Sequence, residues 1–564
     1  MTAESVLERG AGSDDGGKGL KTGTLGLASS IVIGVASTAP AYSLAATLGG
    51  IIILVGLQAP SIIVLAFVPI LFVSVGYQQL NKREPDCGTT FTWATKAFGP
   101  KMGWMGGWGI IAADVLVMAS LAQVAGQYVF LLFGADGIGS DASSGWVLLV
   151  GLVWMALMTY ICYRGIEVSA RIQQGLLALE VVVLVIFAIT ALIKVASDKA
   201  GPQAITPSWS WFNPFEVADI STFAQGIVLM LFIYWGWDSA VSVNEETKDR
   251  DKTPGRAAII STVLLLVTYV IVSLAAQSFA GVGDTGIGLA NPDNSGDILS
   301  VVGNAAFGSS GFGSVMGKLL ILLVLTSAAA STQTTILPTA RTTLSMAAFK
   351  AIPKRFSAIH SKYMTPTQST IWMGAISALL YLALNFYSAG GLIFDAVTAI
   401  GMMIAFYYGL TGFACAFYYR KELRGFKNLM MRGVIPFLGG LMLFGALALT
   451  VYQDWKPENS YVVWHMQFAP HWQIGFSFIL GVGAVLVGLV LMFISMPFFK
   501  PFFAGITLNR DTPIFLAEGE SIPVGFTLPD SGSQEATVIA SDFSNLPSGA
   551  TAVDPETGQT YRAP

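Results

Sequence analysis

Apolar runs long enough to cross a lipid bilayer recur from residue 28 to residue 497 of this chain. Roughly 30 Å of hydrocarbon calls for about 20 apolar residues wound as a helix. The runs fall at 28 to 53, 59 to 80, 101 to 133, 145 to 163, 172 to 195, 221 to 243, 257 to 280, 315 to 339, 367 to 388, 391 to 419, 433 to 452 and 474 to 497, which predicts twelve crossings. They are continuous rather than alternating, and backbone in lipid must satisfy its own polar groups, so the fold class expected is all-α and integral to the membrane rather than a β-barrel. Composition agrees. Of 564 residues 11% are charged, against about 25% in an average soluble domain.

An even number of crossings puts both termini on one side. By this segmentation 26 of the 30 Lys and Arg residues lie on that side, and only Lys194, Lys199, Lys318 and Lys456 lie opposite. Positive loops stay in the cytoplasm, so both termini are expected there and the expected location is the plasma membrane. Residues 1–27 form a cytoplasmic N-terminal segment. The first 24 are Gly-rich and polar and lack the apolar core and cleavage site of a signal peptide, so the first helix is expected to act as the insertion signal. Residues 504–564 are polar, acidic and rich in Gly, Ser, Pro and Thr. That composition predicts a tail that is disordered or docks as a small segment, with room for a strand or two in 513–528. Cys87, Cys162 and Cys415 fall in membrane or cytoplasmic positions and imply no disulfide framework.

Two spans interrupt their own pattern at corresponding places. The first reads IVIGVASTAPAYSLAATLGG, with Pro40 after the small residues Ala36, Ser37, Thr38 and Ala39; the sixth reads QGIVLMLFIYWGWDSAVSV, with Gly236 followed by Trp237 and Asp238. Proline removes a backbone donor in mid-helix. Breaks in helices one and six, five helices apart, are what a five-helix unit repeated in inverted orientation produces, and such breaks free backbone dipoles to hold a solute at mid-bilayer. Simple kinks are the alternative.

Acids inside a span are costly and are functional candidates by default. Asp114 lies 13 residues beyond Lys101, roughly 20 Å of helix, and Glu180 nine residues beyond Arg171, roughly 13 Å. Asp238 sits at the second break. Each also has a structural alternative: a helix-to-helix hydrogen bond for Glu180 and Asp114, a cap of the second half-helix for Asp238.

After the second helix the chain reads PDCGTTFTWATKAFGPKMGWMGGW, and the sixth helix continues as YWGWDSAVSVNEETKDRDKTPGRA. With Pro85, Gly88, Phe91, Trp93, Phe98, Gly99, Gly103, Gly107 and Trp108 in the first and the aromatic-Gly-aromatic-acid break and Pro-x-Arg-Ala in the second, the sequence resembles the amino acid-polyamine-organocation superfamily of secondary transporters, of the bacterial amino acid permease type. The loop after helix eight, with Arg341, Pro353, Phe356 and Pro366, is similar too. In helix one, family members often carry Gly-x-Gly where this chain has Ala36 to Ala39. The resemblance implies twelve transmembrane helices, with a five-plus-five inverted repeat (LeuT-like) in 28–195 and 221–419 and two further helices in 433–497.

It also implies roles. The carboxylate of an amino acid would meet amides near Ser37, Thr38 and Ala39, beside Ala36 and Pro40. Its ammonium would meet carbonyls around Tyr234, Trp235 and Gly236, and Trp235 or Trp237 would close over the side chain. Proton-coupled relatives often carry Lys where Glu180 aligns, so Glu180 is the candidate proton carrier. Thr326 and Ser327 resemble the hydroxyl pair that binds sodium in sodium-coupled relatives, so the coupling ion is H+ or Na+.

An enzyme is not expected, since the chain has no His-Glu-x-x-His and its only histidines, His360, His465 and His471, fall in predicted loops. No catalytic residue, metal centre, organic cofactor or nucleic acid is implied. The expected partners are the bilayer, a coupling ion and a small molecule. An amino acid fits best, with H+-coupled symport the expected mechanism and with amines such as polyamines, exchange, or inorganic cations on the same fold as alternatives.

Overall fold

A computed structural model describes residues 18–294, 298–308, 311–388 and 392–513, with short strands at 537–539, 551–553 and 560–562. Ten helical stretches among these residues are long and apolar enough to cross a membrane. In chain order the helices that matter here are α1 (Leu27–Ser37), α2 (Pro40–Val55), α3 (Ala59–Arg83), α4 (Thr90–Phe98), α5 (Pro100–Leu132), α6 (Gly145–Arg164), α7 (Ile166–Ala196), α8 (Ile220–Ile233), α9 (Ser239–Ser242), α10 (Thr253–Ala280), α11 (Ile298–Phe307), α12 (Phe312–Ala348), α13 (Thr367–Ser388), α14 (Leu392–Tyr418), α15 (Ile435–Asp454) and α16 (Phe476–Ser495).

The first of the ten stretches, Leu27–Arg83, is 57 residues long. A single helix of that length would reach about 85 Å, nearly three hydrocarbon thicknesses. It is divided instead at Thr38 and Ala39 and again by a 3-10 turn at Gly56–Gln58. The apolar half-helix α8 is only 14 residues long because the chain leaves the helix at Tyr234.

The outer surface of the bundle is apolar, as lipid requires: Val153 and Leu379 are 60% and 65% exposed. Its interior is unusually rich in hydroxyls. Along α12, Thr332, Thr334 and Thr343 donate to carbonyls four residues back, at 2.6, 2.9 and 2.8 Å, which satisfies them inside their own helix. Small residues bring helices together. A side chain at Gly126 would meet the Val147 carbonyl at 2.3 Å, so α5 and α6 touch backbone to backbone there.

Several boundaries differ from the sequence reading. Helix α12 runs on to Ala348, so Arg341, expected in a loop, lies within it and is buried. Asp395, overlooked as an intramembrane acid, sits in the first turn of α14 and accepts the amides of Tyr461 and Val462 at 2.9 and 2.8 Å. It thereby ties down a hairpin, β1 (Val463–His465) paired antiparallel with β2 (Gln473–Gly475). His465 is thus a strand residue rather than a loop residue. Of the two expectations for the polar tail, disorder or a docked segment, the start of the tail takes the second: Leu508 is buried, Thr507 donates to the Phe349 carbonyl at 2.5 Å and Arg510 to that of Tyr418 at 2.7 Å. Most of 513–528 lies outside the described residues.

Candidate functional site

The two interruptions predicted from sequence meet each other. Helix α1 ends at Ser37, Ala39 takes a left-handed conformation (φ 45°), and Pro40 starts α2. Helix α8 ends at Ile233, and five residues follow before Ser239 resumes a short helix. Gly236 has φ 110°, and a side chain there would lie 2.7 to 2.9 Å from Ser37 atoms, so the two breaks are in backbone contact. Only glycine takes that conformation and that approach without strain. Ser37 and Ser239 share a hydrogen bond of 2.9 Å across the contact, and Ser331 of α12 donates to the Ser37 carbonyl at 2.8 Å.

The amides of Thr38 and Ala39, expected to be free, instead donate to the carbonyls of Val35 and Ala36 at 3.2 and 3.1 Å. Ala36, fully buried, thus serves as an acceptor that closes α1. The amide freed by the break is two residues beyond Ala39: Ala41 donates at 2.7 Å to Oε1 of Glu180 on α7. Ser327 of α12 donates to the same oxygen at 2.7 Å. Glu180 therefore sits at the N-terminus of α2, where the half-helix dipole favours negative charge. Its Oε2 is buried with no hydrogen-bond partner among the described residues. Thr326 does not join the cluster, since its hydroxyl turns back to the Leu323 carbonyl at 3.0 Å.

At the second break the carbonyls of Tyr234, Trp235 and Gly236 lie outside regular helix. The side chains diverge. Tyr234 donates to the Ile63 carbonyl at 3.0 Å, toward α3. Trp235 donates to the Tyr407 hydroxyl at 2.7 Å, toward α14. Trp237 is fully buried edge-on against Tyr77 at 4.9 Å between centroids, a packing position rather than a lid. Asp238 accepts from Tyr408 at 2.8 Å and from Tyr407 at 3.3 Å. Asp114 of α5 accepts from Thr339 of α12 and lies within electrostatic reach of Asp238. Tyr407 and Tyr408 were missed in the sequence; a pair of tyrosines in the middle of an apolar span was the available signal.

Beneath the breaks, at the end richest in Lys and Arg, a buried ionic layer joins distant segments. The Lys18 ammonium lies 2.6 Å from Asp86 and 2.8 Å from Glu245, with Cys87 Sγ at 3.6 Å. Arg341 forms a fork on Glu246 at 3.0 and 2.9 Å. Lys96 bridges Glu84 at 2.7 Å and the Thr512 carbonyl at 2.6 Å. Burial opposes ionisation of Asp86, but the Lys18 ammonium and donors from Ser345 and Gly88 outweigh it and hold the carboxyl down to about 2. Burial likewise opposes the charge on Lys18, yet Asp86, Cys87 and Glu245 raise its pKa well above the ordinary lysine value. Asp86, Cys87 and Glu245 have the makings of a cation site; the Lys18 ammonium supplies the cation. Nothing in the Gly-rich, polar N-terminal segment singles out Lys18 in sequence, because its partners lie 68 and 227 residues away.

A multi-pass bundle of apolar helices in which two interrupted spans meet at a buried polar centre defines a class, the membrane transporters. The chain belongs to the amino acid permease family, whose family model matches residues 23–499. It is similar to the branched-chain amino acid permease BcaP of Bacillus subtilis strain 168, 24% identical over 419 residues that cover 71% of this chain and 82% of that protein. It is also similar to the low-affinity putrescine importer PlaP of Escherichia coli strain K12, 26% identical over 430 residues, 75% of this chain and 87% of that one. A methylthioribose transporter of Bacillus subtilis strain 168 matches at 22% over 312 residues, 54% of this chain and 62% of the relative. The chain is accordingly a permease and not an enzyme.

Proposed function

We propose that this permease is a secondary active transporter that carries amino acids across the plasma membrane by alternating access about the two touching breaks, driven by protons. Counting the broken pairs α1–α2 and α8–α9 as one crossing each, and α3 separately, gives twelve crossings, with helices one to five and six to ten as inverted repeats and both termini cytoplasmic. In this conformation the ionic layer of Lys18, Asp86, Glu245, Glu246 and Arg341 closes the basic side, and opening there requires those pairs to separate.

The observation that carries the reading is Glu180 on the Ala41 amide. An amino acid carboxylate seeks the same half-helix N-terminus. Two carboxylates side by side repel unless one is protonated. Substrate and proton therefore favour each other's binding, which is the thermodynamic requirement of symport. The ammonium would be received by the carbonyls of Tyr234 and Trp235, since that of Gly236 already accepts the Ser239 amide at 3.0 Å. The separation of Thr326 from Ser327 favours protons over sodium.

A second reading is supported by Asp114 and Asp238. Both are buried, each is held by hydroxyls, and neither forms an ion pair among the described residues. Such a pair suits a cationic substrate, an amine or a basic amino acid. Uptake of radiolabelled amino acids and polyamines into proteoliposomes, with proton and sodium gradients imposed separately, decides between the readings. Amino acid uptake driven by a proton gradient is expected. Uptake confined to polyamines, or driven only by sodium, would refute the first reading.

A further inference from the structure

Away from the breaks, α6 and α13 leave a groove of about 430 Å³ on the outer surface, lined by Leu152, Met155, Thr159, Tyr163, Ile371 and Gly374 among others. It exists because small residues line it. Ala156 and Ala375 are exposed in it, and at Gly374 the helices approach so closely that a side chain would meet the Thr159 hydroxyl at 2.4 Å. From Leu152 to Tyr163 is eleven residues of α6, roughly 16 Å of helix, about the depth of one leaflet of hydrocarbon.

One end of the groove is basic. Arg164 donates to the Tyr160 hydroxyl at 2.9 Å and lies 5.1 Å from the Tyr363 ring centroid. Lys362 lies 5.8 Å from the centroid of the same Tyr363 ring, and Arg355 lies 5.3 Å from the ring of Trp372, the neighbour of Ile371. Thr365 donates to the Tyr163 carbonyl at 2.9 Å, which fixes this loop against the end of α6. All three cations are exposed, and none pairs with a carboxylate among the described residues. Ring contacts orient them without neutralising them. Tyr and Trp at this height mark the membrane interface.

We propose that this groove is a binding site for an anionic phospholipid, with an acyl chain between α6 and α13 and the headgroup phosphate held by Arg164 and Lys362, with Arg355 at its edge. An apolar slot one leaflet deep that ends in unpaired cations fits that one ligand, a charged head on a long apolar chain. A free anion would gain nothing from the slot, and a zwitterionic lipid gains less from the cations because its own ammonium offsets its phosphate. Basic pockets between transmembrane helices recognise headgroups in this way.

The test uses the full chain, delipidated in neutral detergent and incubated with equal amounts of phosphatidylglycerol and phosphatidylcholine, with retained lipid quantified after gel filtration. Phosphatidylglycerol is expected to be retained at least fivefold over phosphatidylcholine. Arg164→Gln with Lys362→Gln, both on the exposed surface, is expected to bring that ratio near one, and Ala375→Phe, which fills the slot from its lipid side, to reduce retention of both lipids. Equal retention by the unaltered protein, a preference that survives the double change at Arg164 and Lys362, or total retention that Ala375→Phe leaves unaltered, would overturn the proposal.

Discussion

Replacing Glu180 by Gln tests the coupling account at its narrowest point. The amide keeps the size of the side chain and can still accept from Ala41 and Ser327, which donate at 2.7 Å each. What is lost is the charge and the exchangeable proton. A charge-assisted hydrogen bond contributes about 1 kcal/mol more than a neutral one. Two of them shift the conformational balance at the α1–α2 break by about 2 kcal/mol, roughly 30-fold. That changes rates but does not by itself abolish movement. The coupling effect is larger in kind. A gradient of one pH unit supplies about 1.4 kcal/mol per proton, enough for about tenfold accumulation of a substrate moved with one proton. Glu180→Gln proteoliposomes are therefore expected to exchange internal for external substrate while failing to accumulate it above the external concentration. Counterflow and gradient-driven uptake, measured on the same vesicles, separate the two. Accumulation by the variant equal to that of the unaltered protein would refute the assignment of the proton to Glu180.

Gly236→Ala is expected to abolish transport while leaving the protein inserted, because the new methyl would meet Ser37 at 2.7 to 2.9 Å on a backbone with φ 110°, a strain of about 1–3 kcal/mol before the clash is counted. Uptake and detergent-extracted yield, measured together, check this. Lys18→Met leaves Asp86 and Glu245 buried without their cation, a loss of about 3–5 kcal/mol. Maleimide labelling of Cys87, fully buried beside Lys18, is expected to rise several-fold while labelling of Cys162 and Cys415 stays low. The pairing of Lys18 with Asp86 is expected to be indifferent to pH in the physiological range. Its stabilisation through Asp86 is present above the ordinary carboxyl value and lost only as pH falls through about 2, and that through Lys18 is lost only as pH rises beyond the ordinary lysine range. Cys87 protection measured from pH 5 to pH 8 with a pH-insensitive label checks this.

The interrupted spans were legible because Pro40 and Gly236 act on their own backbone, and local rules carry them. So was the presence of Glu180, Asp114 and Asp238 inside helical spans, and all three are buried. What joins those positions was not legible. That Gly236 abuts Ser37, or that Glu180 reaches the Ala41 amide 139 residues away, depends on how helices pack, and a single sequence has no term for it. The ionic layer was hidden for the same reason: Lys18, Asp86, Glu245 and Arg341 come from four separate segments. Thr326 is a different case. A neighbouring pair of hydroxyls reads as one site in sequence, but adjacent residues on a helix point about 100° apart, and only Ser327 faces Glu180.

The measurement that bears most directly on the central claim is substrate uptake into proteoliposomes of the unaltered protein under an imposed proton gradient, beside a matched sodium gradient and no gradient. Saturable uptake of an amino acid that the proton gradient alone drives above equilibrium is the predicted result. Uptake indifferent to the proton gradient, or driven only by sodium, would contradict proton-coupled transport about the α1–α2 and α8–α9 breaks.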